Sequence, residues 1–184
     1  ILNSLPGATI GLGTTGNMSL SSTELGNITA GSLTIGGETN GNIVVSGVAS
    51  NNNDQFGRLT LNATASNSSV TFGTADSTFQ GLVVNAENGI TLSSNLTTNG
   101  TTNLISDSDG DGAGNFSISS GKTLTTNNNA LTITSNSMSF NSTGKITSGT
   151  ATTTLKVSDN GTIGLGSTAG NFSLTNSVRR RWRP

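Results

Sequence analysis

The chain lacks cysteine, histidine and tyrosine, and it has only two prolines, one tryptophan and six phenylalanines among 184 residues. Without cysteine it has no disulfides, no thiolate nucleophile and none of the commonest zinc ligands. Without histidine it lacks the most frequent general base and metal ligand of enzymes. The nine acidic residues are dispersed apart from one cluster, so paired carboxylates for hydrolysis are not indicated. These absences predict a protein that is not an enzyme.

Charge and long apolar runs are also scarce. The net charge is −1, and four of the eight basic residues lie in an Arg-rich tail at 178–184. The rest of the chain is mildly acidic, which disfavours a nucleic-acid partner. No apolar run approaches the roughly 20 residues of a membrane helix, so we predict no membrane span. The chain begins at Ile1 without a signal peptide, which favours a mature or excised fragment.

Small polar residues dominate what is present: 27 Ser, 31 Thr, 24 Asn and 25 Gly. All four are poor helix formers in a helix interior. Short stretches nevertheless alternate apolar and polar residues, which places two apolar side chains on one face of a strand. Asn and Gly tolerate positive φ and favour corners between such strands. The alternating stretches are 10–12, 18–20, 33–35, 59–61, 70–72, 90–92, 116–118, 131–133, 138–140, 155–157, 163–165 and 172–174.

Many short strands, small corner residues and few aromatic side chains favour an all-β fold, a right-handed parallel β-helix (β-solenoid), with little or no α-helix. With three strands per coil, the spacing predicts about 20 to 27 residues per coil and roughly seven to eight short coils. An antiparallel sandwich or barrel is the alternative, but it favours longer strands, hairpin turns and large aromatic core residues. Ten apolar residues are expected to point inward: Leu33, Leu61, Phe72, Val84, Leu92, Phe116, Ile133, Phe140, Leu155 and Phe172.

An internal repeat supports the solenoid. The segment 9–20, TIGLGTTGNMSL, recurs at 162–174 as TIGLGSTAGNFSL, with a one-residue insertion at Ala169. Solenoids depend on such repetition because each unit finishes burying its core against its neighbour. We therefore predict a single β-solenoid domain over 1–177, holding slightly more than one repeat of about 153 residues. The Arg-rich tail at 178–184 lies outside this domain.

Several segments resemble a known class of surface protein. GLVVNAENGITL at 81–92, LGNITAGSLTI at 25–35 and ALTIT at 130–134 are similar to the shaft repeats of filamentous haemagglutinin-type and autotransporter-passenger adhesins. They are equally similar to the giant repetitive surface proteins of bacteria and some algae. The likeness covers most of the chain through generic motifs. It implies secretion, a location outside the cell or at its surface, and long rods made by stacking.

The expected function is therefore a structural or adhesive extracellular fibre segment, a rigid shaft that self-assembles into a longer array or filament. Its partners would be other copies or flanking repeats, stacked end to end, with surface glycans or matrix as further candidates. Two alternatives stay open: a carbohydrate- or surface-binding adhesin module, and a calcium-stabilised matrix protein.

One acidic cluster suggests a cofactor. Asp107, Asp109 and Asp111 offer oxygen ligands at alternate positions, which suits Ca²⁺. A helix-flanked calcium loop would have Glu at its twelfth position, where this chain has Ile118. Asp-Gly pairs also form tight corners without any metal. The three aspartates are candidate ligands, and Ca²⁺ is the one cofactor that the sequence suggests.

Two further motifs are weaker. Gly11, Gly13 and Gly16 match a dinucleotide-binding fingerprint, but that fingerprint requires a following helix, and residues 17–20 indicate a strand. Asn-x-Ser/Thr sequons are about as frequent as the Ser and Thr content alone would produce. The candidate glycosylation sites are Asn17, Asn62, Asn95, Asn115, Asn141 and Asn171.

Overall fold

The predicted alternation is realised as short parallel strands. The computed structural model describes residue 1 and residues 5–174. Within these residues it has nineteen strands, one four-residue helix and one turn of 3-10 helix. All twelve alternating stretches named above lie in strands. The prediction of a nearly all-β chain with almost no helix is confirmed, and so is the parallel arrangement of its strands.

The strands form three large sheets and one small one. Sheet I holds β1 (Ile10–Leu12), β2 (Met18–Leu20), β4 (Ile43–Val45), β6 (Val70–Phe72), β9 (Ile90–Leu92), β12 (Asn115–Ile118) and β15 (Ser137–Phe140). Sheet II holds β7 (Ser77–Phe79), β10 (Leu96–Thr98), β13 (Thr123–Thr125) and β16 (Lys145–Thr147). Sheet III holds β3 (Leu33–Gly37), β5 (Arg58–Ala63), β8 (Gly81–Ala86), β11 (Thr102–Ile105), β14 (Leu131–Ser135) and β17 (Thr153–Val157). The small sheet pairs β18 (Ile163–Leu165) with β19 (Phe172–Leu174).

The chain visits the three large sheets in a fixed order. From β6 to β17 it passes through sheet I, sheet II and sheet III four times in succession, and each such passage is called a circuit here. Each strand pairs in parallel with the strand one circuit earlier, as Ile90 does with Val70 and Phe116 does with Ile90. Hydrogen-bonded side chains on neighbouring circuits are 19 to 29 residues apart in the chain. Every strand pairing in the described part is parallel, so the antiparallel alternative is wrong.

The core lies between the three sheets and consists of apolar columns. Eight of the ten residues predicted to point inward are buried: Leu33, Leu61, Phe72, Val84, Leu92, Phe116, Ile133 and Phe172. Phe140 and Leu155 are only partly buried, although both pack against the core. These two lie on β15 and β17, the outermost described strands of sheets I and III, so within residues 5–174 no further strand of the same sheet covers them. The sequence pattern therefore did not distinguish these two edge residues from the eight that are buried.

None of the alternating stretches predicted from the sequence lies in a strand of sheet II. Its strands bury one large apolar side chain each, namely Phe79, Leu96, Leu124 and Ile146. The second inward position is polar in two of these strands, where Ser77 and Thr98 are buried. A period-two apolar pattern requires at least two apolar residues. The alternation therefore could not reveal this sheet.

Before β7, the chain twice forms a helical turn where its later passages have a strand of sheet II. The helix α1 (Ser22–Leu25) begins with a capping box, in which the Glu24 N–H donates to Ser21 Oγ at 3.1 Å and the Ser21 N–H donates to the Glu24 carboxylate at 2.8 Å. The backbone hydrogen bond from Ser21 lowers the pKa of Glu24. The 3-10 turn (Ser50–Asn52) packs between α1 and β7. The capping signature S-x-x-E was present in the sequence, but such a short element leaves no apolar periodicity.

The two copies of the internal repeat fold alike. In the first copy β1 pairs in parallel with β2, and in the second β18 pairs in parallel with β19. The apolar pair of the second copy, Ile163 and Leu165, is 45% and 53% exposed, whereas the equivalent Ile10 and Leu12 of the first copy are fully buried. The predicted boundary at 177 and the Arg-rich tail at 178–184 lie outside the described residues.

Candidate functional site

The acidic cluster lies where two corners are stacked. The corner after β11 contains Asp107, Asp109 and Asp111, and the corner one circuit earlier, after β8, contains Glu87. The Ser108 N–H donates to the Ala86 carbonyl at 3.0 Å, which ties the later corner to the earlier one. The stacking of two circuits therefore brings four acidic residues to one edge of the molecule. These four residues are called the acidic corner below.

Three carboxylates of the acidic corner converge. Oxygen atoms of Glu87, Asp109 and Asp111 all lie within 4.8 Å of one another. Two oxygens that bind one Ca²⁺ at about 2.4 Å can be at most about 4.8 Å apart, so the geometry suits a shared cation. Glu87 is half-buried, whereas Asp109 and Asp111 are exposed. Such a group holds a cation from one side and leaves its other side to water.

Asp107 has a different environment from the other three. It is 3% exposed, and its Oδ2 accepts hydrogen bonds from the Gly112 N–H at 3.2 Å and the Ser158 hydroxyl at 2.5 Å. Its Oδ1 has no hydrogen-bond partner among the described residues, and the same is true of Glu87 Oε2. A buried carboxylate oxygen without a partner is unfavourable. The acidic corner thus retains buried acceptors that a bound cation or its water would satisfy.

Sequence reasoning found Asp109 and Asp111 but missed Glu87. Local spacing alone cannot find Glu87, because it joins the group from the preceding circuit. The signal that could have found it is the coil length itself, since residues one coil apart lie next to each other in a solenoid. Of the three predicted ligands, the structure groups two with Glu87 and places the third, Asp107, where it anchors the corner.

A shallow, open groove lies beside the acidic corner. Its volume is about 710 Å³, and it is lined by Gly37, Glu38, Asn62, Thr64, Asn85, Ile105, Ser108 and Asp109. The Asn85 side-chain amide on β8 donates to Asn62 Oδ1 on the paired strand β5 at 2.8 Å. No aromatic side chain lines it, whereas small-molecule pockets are predominantly apolar and aromatic. The groove therefore offers polar and acidic groups but no stacking surface.

Polar side chains elsewhere connect successive circuits. Asp76 accepts two hydrogen bonds from Asn95, one from the side-chain amide and one from the backbone N–H, both at 2.9 Å. The side-chain bond, followed by the backbone bond, lowers the pKa of Asp76. Asn95 Oδ1 in turn accepts from the Thr123 N–H at 2.9 Å. One side chain thus ties three successive circuits together.

The candidate glycosylation sites differ in accessibility. Asn17, Asn115, Asn141 and Asn171 are exposed. Asn62 and Asn95 are half-buried, and their side chains make the hydrogen bonds between circuits described above. The four exposed residues are therefore the more accessible acceptors.

The glycine motif of the first repeat forms a corner between parallel strands. Gly11 lies inside β1, and Gly13 follows it with a φ of +68°. The chain then enters β2 at Met18. The helix that a dinucleotide site would need is therefore replaced by a strand.

No protein-family model matches the chain, and no curated protein or solved structure does so either. Among the described residues, neither helical element has the length and apolar character required to cross a membrane.

Proposed function

We propose that the chain is a segment of an extracellular structural or adhesive fibre, a rigid β-solenoid shaft that stacks end to end in a longer array or filament. The observation that carries this proposal is the fixed cyclic order of parallel strands through sheets I, II and III. Each circuit rests on the one before it, so the core is renewed at every step. A structure of this kind has a natural direction of growth but no inherent limit on its length.

The strand orders also support the finer architecture, a right-handed parallel β-helix of seven to eight short coils. Sheet I has seven described strands and sheet III has six. Connections between parallel strands of one sheet are right-handed in about 98% of cases, because of the twist of the strands. With neighbouring strands about 4.8 Å apart, the stack forms a short rod.

The resemblance to adhesin shafts supports the proposed location at the cell surface or outside the cell. A rod held by backbone ladders and by side-chain bonds such as Asn99 to Asn127, at 2.8 Å, needs no disulfide for its stability. The partners in this proposal are other copies of the chain or flanking repeats. Neither catalysis nor nucleic-acid binding is part of it.

The test of the fibre function is assembly by the purified chain. Concentrated protein is expected to form unbranched filaments in electron micrographs, with an axial reflection near 4.8 Å in fibre diffraction. A glycan array probed with the same protein should show no specific binding. A chain that stays monomeric at high concentration and binds a defined glycan would replace the shaft with the carbohydrate-binding module.

A second candidate function, a calcium-stabilised matrix protein, is favoured by the acidic corner. Glu87 comes from a different circuit than Asp109 and Asp111, so a shared cation would cross-link two circuits. It would also relieve the repulsion between three carboxylates held within 4.8 Å. This observation goes beyond the local Asp spacing that first suggested Ca²⁺.

Calcium is accordingly expected to raise the melting temperature of the chain. At a free Ca²⁺ concentration about tenfold above the dissociation constant, the stabilisation is about 1.4 kcal/mol. For a domain of this size that corresponds to a rise of roughly 3–6 °C, measured by calorimetry with and without millimolar Ca²⁺.

Glu87→Gln and Asp109→Ala should each abolish this rise. Asp54→Asn, which changes an exposed carboxylate outside the acidic corner, should leave it intact. An equal response in all four proteins would show that Ca²⁺ acts through general screening and not through this site.

A further inference from the structure

The two repeat motifs make the same internal contacts. The motifs are Thr9 to Leu20, called the first motif, and Thr162 to Leu174, called the second motif. In the first, the Met18 N–H donates to the Thr9 carbonyl at 3.1 Å, and in the second the Phe172 N–H donates to the Thr162 carbonyl at 3.1 Å. A side chain repeats the pattern, since Asn17 Oδ1 accepts from the Thr9 N–H at 2.9 Å and Asn171 Oδ1 from the Thr162 N–H at 3.1 Å.

The glycines of the two motifs are also equivalent. A Cβ on Gly11 would collide with the carbonyls of Thr14 and Thr15, and a Cβ on Gly164 would collide with the backbone of Thr168 and Ala169. The turn glycines that follow have φ values of +68° at Gly13 and +75° at Gly166. The two motifs therefore have equivalent hydrogen bonds and turn glycines despite the one-residue insertion at Ala169.

The two motifs are covered by other strands on opposite sides. The first motif is covered on its β1 side by β4, and Ile10 and Leu12 are 0% exposed. Its β2 side has no further strand in the described part, and Met18 is only partly buried. The second motif is covered on its β19 side, where it packs against β15 and Phe172 is fully buried. On its β18 side no further strand lies within residues 5–174, and Ile163 and Leu165 are exposed there.

The open edge of β18 matches the covered edge of β1. In the first motif the Ile10 N–H donates to the Asn42 carbonyl, and the Leu12 carbonyl accepts from the Ser46 N–H, both at 2.9 Å. The equivalent groups belong to Ile163 and Leu165, and within residues 5–174 no strand lies opposite them. The structure thus displays the strand that fits this edge, namely β4, in register with Ile43 and Val45.

Every copy of the chain contains β4, so a second copy can supply the strand that fits this edge.

We infer that the second motif of one chain replaces the first motif of another, so that β18 pairs with β4 of the second copy. The exchanged motif then lies between β15 of its own chain and β4 of the next, and both of its sides are covered. The inference deepens the proposed function, on which it rests, by naming the joint between copies.

Such an exchange is inexpensive because it replaces one strand pairing with an equivalent one. β18 takes the place of β1 beside β4, so Ile163 and Leu165 become buried while Ile10 and Leu12 of the displaced motif lose the cover of β4. Domain swapping of identical elements is a recognised low-cost route to oligomers. The joint is heterologous, head to tail, so it extends into a linear array and does not close into a dimer.

The test uses glycine variants of the full chain, whose association is measured by sedimentation velocity over a range of concentrations. Gly164→Val disrupts the donor motif and should weaken association about tenfold or more. Gly11→Val disrupts the receiving chain's own motif, frees β4 and should strengthen association. The double variant Gly11→Val with Gly164→Val should be monomeric, which separates exchange from aggregation of a misfolded chain.

A second pair of substitutions avoids the buried glycines. Ile163→Glu with Leu165→Glu changes two exposed side chains, so the monomer should keep its melting temperature while association is lost. Association of this variant and of Gly164→Val at wild-type strength would overturn the exchange, although wild-type filaments would still support the fibre. Association of Gly11→Val alone, with a monomeric wild type, would support the exchange and count against the fibre.

Discussion

Replacing Phe116 with alanine is expected to lower the free energy of unfolding by about 3–5 kcal/mol. Phe116 is fully buried on β12, between Ile90 on the preceding circuit and Met138 on the following one. Removing the ring leaves a cavity in a column whose neighbours are held by backbone ladders on both sides. The surroundings cannot collapse into it without breaking those ladders.

Phe140→Ala is the matched control for this prediction. Phe140 lies on the same sheet but on the outermost strand β15, where it is only partly buried. Its truncation should cost about 1–2 kcal/mol, because less apolar area leaves water on folding. Urea unfolding followed by circular dichroism measures both changes. Equal losses for the two variants would mean that Phe140 is as well covered as Phe116, which would contradict its partial burial.

Gly114→Ala is expected to cost about 3 kcal/mol, although it adds only one methyl group. A Cβ at this position would collide with the Ser106 carbonyl and would lie 2.6 Å from the Asp107 Cα. The Gly114 carbonyl also accepts a hydrogen bond from the Asn136 N–H at 3.1 Å, so this residue is fixed between neighbouring circuits. Glycine is required here for close approach of the backbone, and not for a positive φ.

Gly31→Ala tests the same substitution where there is space. Nothing lies within 4 Å of a Cβ built at Gly31. Alanine there should be neutral or should stabilise by about 0.5 kcal/mol, because it restricts the unfolded chain. Thermal unfolding of the two variants side by side measures the difference. A loss at Gly31 as large as that at Gly114 would show that backbone entropy, and not the stacking contact, dominates both changes.

The core of sheets I and III could be predicted from the sequence. Pairs such as Leu59 with Leu61 and Ile90 with Leu92 are buried on alternate positions of a strand, and two apolar residues are enough to specify the face. Sheet II could not be predicted in this way. Thr98 of sheet II is buried with Thr102 of sheet III as a hydrogen-bonded pair, and their hydroxyl oxygens are 2.6 Å apart. Nothing in the local sequence distinguishes these two from surface threonines.

The candidate site, too, could be predicted only in part from the sequence. Asp109 and Asp111 are neighbours in the sequence, so their convergence could be expected from spacing alone. Glu87 joins them because two corners are stacked, whereas the Asp107 carboxylate accepts hydrogen bonds from Gly112 and Ser158 and is not one of the three converging groups. The exposure of Ile163 and Leu165 has a similar origin: the same motif is covered or open according to whether a strand such as β4 lies beside it.

The sequence by itself determined the strands, their corners and the repetition, because these depend on interactions between residues a few positions apart. The tertiary structure decided which residues meet across circuits: the buried threonines, the acidic corner and the open edge of β18. Circuits differ in length, so the residue that lies above a given position cannot be found by counting along the chain. The register of the backbone ladders determines which residues meet, and this register is set only when the whole stack has formed.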